Sequence, residues 1–332
     1  VGGGFGNTVL ASNSSVIAGG HNNVVNSHGT VVGGGESNYA DGLGAVVAGG
    51  HDNTVSRPWS VVGGGNNNIV SGYTSTIAGG VFNRASGSFV AISGGQFNSA
   101  LGGYGTVAGG YANVAQYLSA AGGGQYNKAY GSFSSIGGGS SNVAYSSGAA
   151  VGGGLSNILY GYCGVVNGGS GHTVRGDWGT VAGGRNNAAV ADLSVVGGGQ
   201  FNSAFGTYSV IAGGSFNSAR MQHATISGGY GNVNDGHGGT VSGGFNNTLL
   251  TSNSSVIAGG DNNVVNSHST VISGGRHNYA DGLGAVVAGG DDNTVAGQWC
   301  VVGGGHENMA SGYASTTAGG VSNKAAATYG SI

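Results

Sequence analysis

The sequence predicts an all-β protein, a parallel β-solenoid of short repeated coils without helix, and three observations carry this. Gly-Gly pairs return along the whole chain, with the second Gly at Gly4, Gly20, Gly35, Gly50, Gly65 and onward to Gly320, marking 22 units. Of the 21 intervals, 18 are 15 residues long, two are 16 and one is 14. Three residues after the marker glycine stands Asn, from Asn7 to Asn323, in 21 of the 22 units, with His172 in the remaining one. Register kept this well is the mark of a repeat array. Inside each unit the small and apolar residues fall two apart, the period of a strand and not of a helix.

Numbered from its first Gly, the unit reads G-G-x-x-N-x-[AV]-x-G-x-x-S-x-[VI]-[AGS]. Positions 1–2 form a first turn, because Gly tolerates positive φ and close backbone approach. Positions 4–8 form a first strand, whose inward residues are Asn at 5 and Ala, Val or Leu at 7, with Asn234 the exception at 7. A second glycine near position 9 begins a second turn. Positions 11–15 form a second strand, with a small residue at 12 and Val or Ile at 14 in 20 of 22 units. One 15-residue unit buries nothing alone; stacking each strand on its equivalent about 4.8 Å away produces a continuous interior. Asn7, Asn23, Asn38, Asn53, Asn68, Asn83 and Asn98 begin an expected ladder of stacked amides, structural and not catalytic, each contributing about 1 kcal/mol net.

Composition narrows the function classes. The chain has 332 residues, of which 78 are Gly and one is Pro, with 8 basic and 11 acidic residues and a net charge of −3. Collagen would need Gly at every third position and abundant Pro, and disorder would bring high net charge or much Pro. Scattered basic residues leave no footprint for gripping nucleic acid by its phosphates, and no apolar run reaches the ~20 residues of a transmembrane helix.

The outward positions of the second strand predict self-association. Position 13 is only Val, Thr, Ala or Ser, as in Val16, Val31, Val46, Val61, Thr76, Thr106, Val165, Val195 and Val210, and position 15 is only Ala, Gly, Ser or Asn. A flat, charge-free ribbon of this length exceeds what monomers usually leave bare, so it is expected to meet other chains.

Segments such as Ser75-Thr-Ile-Ala-Gly-Gly80 and Ser209-Val-Ile-Ala-Gly-Gly214, each followed by Asn-x-Ala, resemble the head repeats of YadA-like trimeric autotransporter adhesins. The resemblance covers essentially the whole chain. It implies a left-handed parallel β-roll, three chains side by side, display on a bacterial surface, and binding to host matrix, glycan or other cells. Gly-Gly in place of a single Gly, Asn at position 5 and the 15-residue period depart from the family pattern.

A larger period is superposed: residues 3–92 match 243–332 at an offset of 240. The chain also begins and stops in mid-unit, so residues 1–332 are expected to be one continuous array within a longer protein. Cys163 and Cys300 lie about nine coils apart, too far for a disulfide. Cys300 takes the Ser position as a small filler.

No phosphate-loop or calcium-roll motif is present, and neither cofactor nor metal is expected. Position 3 runs His21, Glu36, His51 and later Asp261, Arg276, Asp291, His306, a surface ladder of alternating sign. The second turn carries aromatics in half the units, among them Trp59, Tyr73, Trp178 and Trp299, which form a candidate ligand edge. Phe82 with Phe97, Phe201 with Phe216, and Tyr130 with Tyr145 and Tyr160 are expected to stack in adjacent coils. The leading functional expectation is an extracellular, surface-exposed fibrous protein, structural or adhesive and not an enzyme, that assembles as a homotrimer or filament. Ice binding or carbohydrate binding is the alternative, and a polysaccharide-active enzyme comes third.

Overall fold

The strands are shorter than the sequence predicts: each is two residues, at positions 6–7 and 13–14, as in Val24–Val25 and Val31–Val32. The flanking positions are bent by left-handed residues. Position 2 is Gly with φ near +90°, as at Gly20 and Gly35, and both turns also hold non-glycine residues at φ of about +55°, Asn22 at position 4 and Trp59 at position 11. A left-handed residue turns its peptide N–H back along the stack. The Asn22 N–H thus donates to the Phe5 carbonyl of the preceding coil, while the Val24 N–H donates to Asn38 of the next. Each coil is tied in both directions.

The computed structural model describes residues 1–10, 12–250 and 252–332. Among these there is only β-structure and turns. Two compact units divide the chain, Val1–Cys163 and Gly164–Ile332, and each is a parallel β-solenoid with about 15 residues per coil. In the first, Thr8–Val9 pairs with Val24–Val25 and Val16–Ile17 with Val31–Val32, opening two separate parallel ladders. In the second, Thr173–Val174 pairs with Ala188–Ala189 and Val165–Val166 with Thr180–Val181. A third column, unforeseen from the sequence, is a line of single parallel bridges at position 3, running Phe5, His21, Glu36, His51, Asn66 in the first unit.

The interior is the four predicted columns. In every strand after the terminal Thr8–Val9, both of whose residues are exposed, the first residue faces outward and the second is buried, Val31 and Val32 being typical. Val25, Ala40, Val55 and Val70 fill position 7; Thr30, Ala45, Ser60 and Ser75 fill position 12; Ile17, Val32, Val47 and Val62 fill position 14. Cys300 is a free, buried thiol in the position-12 column, reaching the Gly312 carbonyl as the serines at 60 and 75 reach theirs. The exceptional Asn234 is fully paired, donating to Gly239 at 2.8 Å and Thr225 at 3.1 Å and accepting from the Gly236 N–H. Leu249 of the next coil reaches across the space that Gly236 and Gly239 leave.

The glycine at position 9 serves a different end from the one expected. Its φ is not positive; a Cβ on Gly72 would instead lie 1.7 Å from the Gly87 carbonyl oxygen of the next coil. At Gly72 glycine serves close stacking and not turn chirality, and other coils place Arg57, Ser146 or Met221 at the same position.

All length variation falls in the second turn. The pairing of Thr8 with Val24 spans 16 residues but that of Val16 with Val31 spans 15, so the insertion lies between Val9 and Val16. By the same reasoning the second insertion lies between Leu249 and Val256 and the deletion between Ala115 and Ala120. At both insertions a histidine of the next coil takes up an N–H: Asn13 donates to His28 Nδ1 at 2.9 Å and Asn253 to His268 Nδ1 at 2.8 Å.

Candidate functional site

The Asn column at position 5 is the polar seam of each unit. Asn23, Asn38, Asn53, Asn68, Asn83 and Asn98 are buried, whereas Asn7, in the first coil, is half-buried. In Asn68 the side-chain Nδ2 donates to the Gly64 carbonyl of its own coil at 3.0 Å and to the Gly80 carbonyl of the next at 2.8 Å. Its Oδ1 accepts the Asn83 backbone N–H at 3.0 Å. Amide-to-amide bonds of the expected kind also occur, Asn38 to Asn23 and Asn53 to Asn38 among them, at 3.1 and 3.2 Å. The main partners are nonetheless backbone groups of the Gly-Gly turn and of the next Asn. The ladder therefore satisfies the first carbonyl of each Gly-Gly turn and gives a second donor to the other, which also accepts a backbone N–H, Asn66 to Gly80 for example.

His172 replaces one rung and imitates it. Fully buried, it accepts the Asn187 N–H through Nδ1 at 3.1 Å and also bonds the backbone of Gly184. Burial pushes its pKa below the ordinary histidine value. The unfolded chain then binds the proton more readily, so this rung's full contribution is present above about pH 6.5 and is lost as pH falls toward the folded value. Stability should decline over that interval by up to about 1.4 kcal/mol per pH unit, and His172→Asn should remove that part of the slope. Urea unfolding of both proteins across mildly acidic pH measures the difference, and parallel curves would exclude the assignment.

The outward second-strand column shows a sharp restriction in size. Val16, Val31, Val46, Val61, Thr76 and Thr106 in the first unit, and Val165, Val195 and Val210 in the second, are all exposed or half-exposed. Beside them position 15 is exposed throughout, as at Ala18, Ala48 and Ala182. The first strand has the same pleat yet presents Tyr39, Ile69, Arg84, Lys128, Tyr279, Met309 and Lys324 in its outward column. β-propensity alone would admit large side chains on both faces. Only the second-strand face excludes them.

The aromatic edge lies in the second turn. Trp59, Tyr73, Trp178 and Trp299 are each about half exposed or more, Trp59 at 61%. In the first unit exposed aromatics occupy six successive coils: Trp59, Tyr73, Phe89, Tyr104, Tyr117 and Phe133. Trp59 lies against the Cα of Gly44 one coil back, and Trp299 against Gly284 likewise; a Cβ on either glycine would strike the indole. Arg57 stands over the Tyr73 ring at 5.7 Å. Phe89 and Tyr104 stack with centroids 5.1 Å apart and planes within 10°, as do Tyr208 and His223 within 8°. The pairs Phe82–Phe97, Phe201–Phe216 and Tyr145–Tyr160 also stack, with Tyr130 tilted on Tyr145. Such pairs turn ring faces on one another, whereas stacking on a sugar needs a face free.

On the opposite edge, Arg276 grips both oxygens of Asp291 at 2.9 and 3.0 Å, and that hydrogen bonding is the chief reason the Asp291 pKa is lowered. His306 approaches the same carboxylate at 3.4 Å. In the first unit His51 lies 3.9 Å from Glu36 and 3.0 Å from Asp52. Of the alternating ladder expected at position 3, the contacts Glu36–His51 and Arg276–Asp291–His306 form. His277, Asp291 and Asp292 bring three ligand atoms within 4.8 Å of one another, but Asp291 is already held by the guanidinium. No helix among the described residues is long and apolar enough to cross a membrane.

No protein-family model matches the chain, and no curated protein matches it.

Proposed function

We propose that this chain is part of an extracellular fibrous protein, structural or adhesive, whose solenoid associates side by side with further copies through its second-strand face. The observation that carries the reading is the restriction at positions 13 and 15. Two strands of identical geometry present outward columns, and only one is held to Val, Thr, Ala and Ser beside Ala, Gly, Ser and Asn. Small size, beyond low charge, is what the close approach of another surface demands, because each missing bulky group lets backbones come nearer and bury more area. The resemblance to adhesin head repeats supports the same arrangement and suggests three chains at a cell surface. The aromatic edge would then remain outside the contact, available to matrix or glycan at ring edges and at unstacked rings such as Trp59.

Replacing Val46 and Val61 together by Glu tests the interface. Each side chain is half-exposed in the single chain, so circular dichroism should keep its β signature, with a stability cost of about 1 kcal/mol per site. Sedimentation should show the parent as an oligomer and the variant as a monomer, since like charges brought opposite across a contact cost several kcal/mol. A monomeric parent, or a variant that stays assembled, would refute the reading.

A further inference from the structure

Among the differences within the duplicated stretch, those at position 3 fall together, and there acidic and basic residue types exchange places. Between residues 13–65 and 253–305, 42 of 53 positions are identical. All three position-3 residues within that span change: His21 becomes Asp261, Glu36 becomes Arg276 and His51 becomes Asp291. One coil further, Asn66 becomes His306. A carboxylate flanked by two imidazoles is answered by a guanidinium flanked by two carboxylates.

Both columns are built alike. His21, Glu36 and His51 are linked by consecutive single bridges, as are Asp261, Arg276 and Asp291, so each column sets its charges at coil spacing along one edge. All six side chains are exposed or half-exposed. The pair Arg276–Asp291 uses two guanidinium N–H groups, which leaves three of the five donors directed elsewhere. The outward second-strand residues around these coils do not change between the blocks: Val16, Val31, Val46 and Val61 correspond to Val256, Val271, Val286 and Val301.

We infer that the position-3 edge is a docking surface for a second copy of this chain, which it meets at an offset of 240 residues, the His21–Glu36–His51 column of one copy facing the Asp261–Arg276–Asp291 column of the other. This rests on lateral self-association and adds its register. Position 13 is unchanged and position 15 changes only from Gly33 to Ser273, still small, so either block can sit against either block. The exchanged charges then select the unlike pairing, because like blocks in register place Glu36 against Glu36 or Arg276 against Arg276. Selection by repulsion of wrong partners is how charged rims commonly set register.

Charge exchange separates this role from the ladder within each chain. Glu36→Arg sets like charge against Arg276 of the second copy and should weaken association on the order of tenfold at low salt, less at high salt. Adding Arg276→Glu makes one column wholly basic and the other wholly acidic. Both ladders within the chain are then worse, yet the contact between copies is complementary again, at that offset only. Sedimentation equilibrium at low salt should show the double variant recovering to within about threefold of the parent, with circular dichroism confirming the fold. Failure to recover, or an unaffected single variant, overturns the register while lateral assembly stands. A monomeric parent overturns both.

Discussion

Replacing Gly80 by Ala is expected to break the stack at that coil, whereas replacing its neighbour Gly79 is expected to leave the stack intact. Gly80 has φ of +94°, and a Cβ there would lie 2.1 Å from the Gly95 carbonyl oxygen and 2.5 Å from Asn83 Nδ2. A left-handed alanine costs about 1–2 kcal/mol, and forcing adjacent coils apart adds about 1–3 kcal/mol. The sum, roughly 2–5 kcal/mol, falls on one link of a nearest-neighbour array, so it should open that link locally. A Cβ on Gly79 meets nothing within 4 Å, and its φ is not positive. Ala there should shift stability by less than about 0.5 kcal/mol. Urea unfolding and limited proteolysis of the two variants make the comparison, and equal behaviour would show that the coils are not packed at this spacing.

The second large effect is expected at Asn68. Truncation to Ala would leave the Gly64 carbonyl and the Asn83 N–H without a partner, while the Gly80 carbonyl would keep only the Asn66 N–H. At about 1–3 kcal/mol for each of the two orphaned groups, the loss should reach roughly 2–6 kcal/mol. Asn68→Asp keeps the shape and the acceptor but turns an anion onto two carbonyl oxygens, so near neutral pH it should cost at least as much. A loss below about 1 kcal/mol for the alanine variant would mean that the turn carbonyls find other partners and that the ladder is dispensable.

The two glycines of the pair look alike in sequence, and the difference between Gly79 and Gly80 shows where reading the residues stops. Period, strand number and the four interior columns were legible because burial with a spacing of two leaves its imprint on residue type: Val25 and Val32 could be placed inside from pattern alone. Strand length was not. The left-handed bends at position 4 are filled by Asn22, Ser37, Asp52 and Phe82 alike, so the sites that shorten the strand have no compositional signature. Position 11 hides itself even better, since Trp59, Phe89 and Trp299 occupy a conformation usually left to Gly or Asn. The position-3 column was read as charge and not as a bridge, because its residues alternate freely among His, Glu, Val, Gln and Tyr while the backbone makes the contact. For the candidate interface, the sequence supplied the list of small residues. The first-strand column supplies the comparison that gives the list meaning, and it needed strand boundaries.

Confinement of every insertion and deletion to one turn has an evolutionary consequence. The Gly-Gly edge, threaded by the Asn seam, behaves as the invariant spine of the repeat, because any added residue there would misalign carbonyls in two coils at once. The opposite edge tolerates a residue more between Val9 and Val16 and one fewer between Ala115 and Ala120 while both ladders resume their register. New loops, epitopes or recognition peptides can therefore arise on that margin one mutation at a time without renegotiating the fold. The repeat divides its labour between a margin that preserves the architecture and a margin on which novelty can be tried.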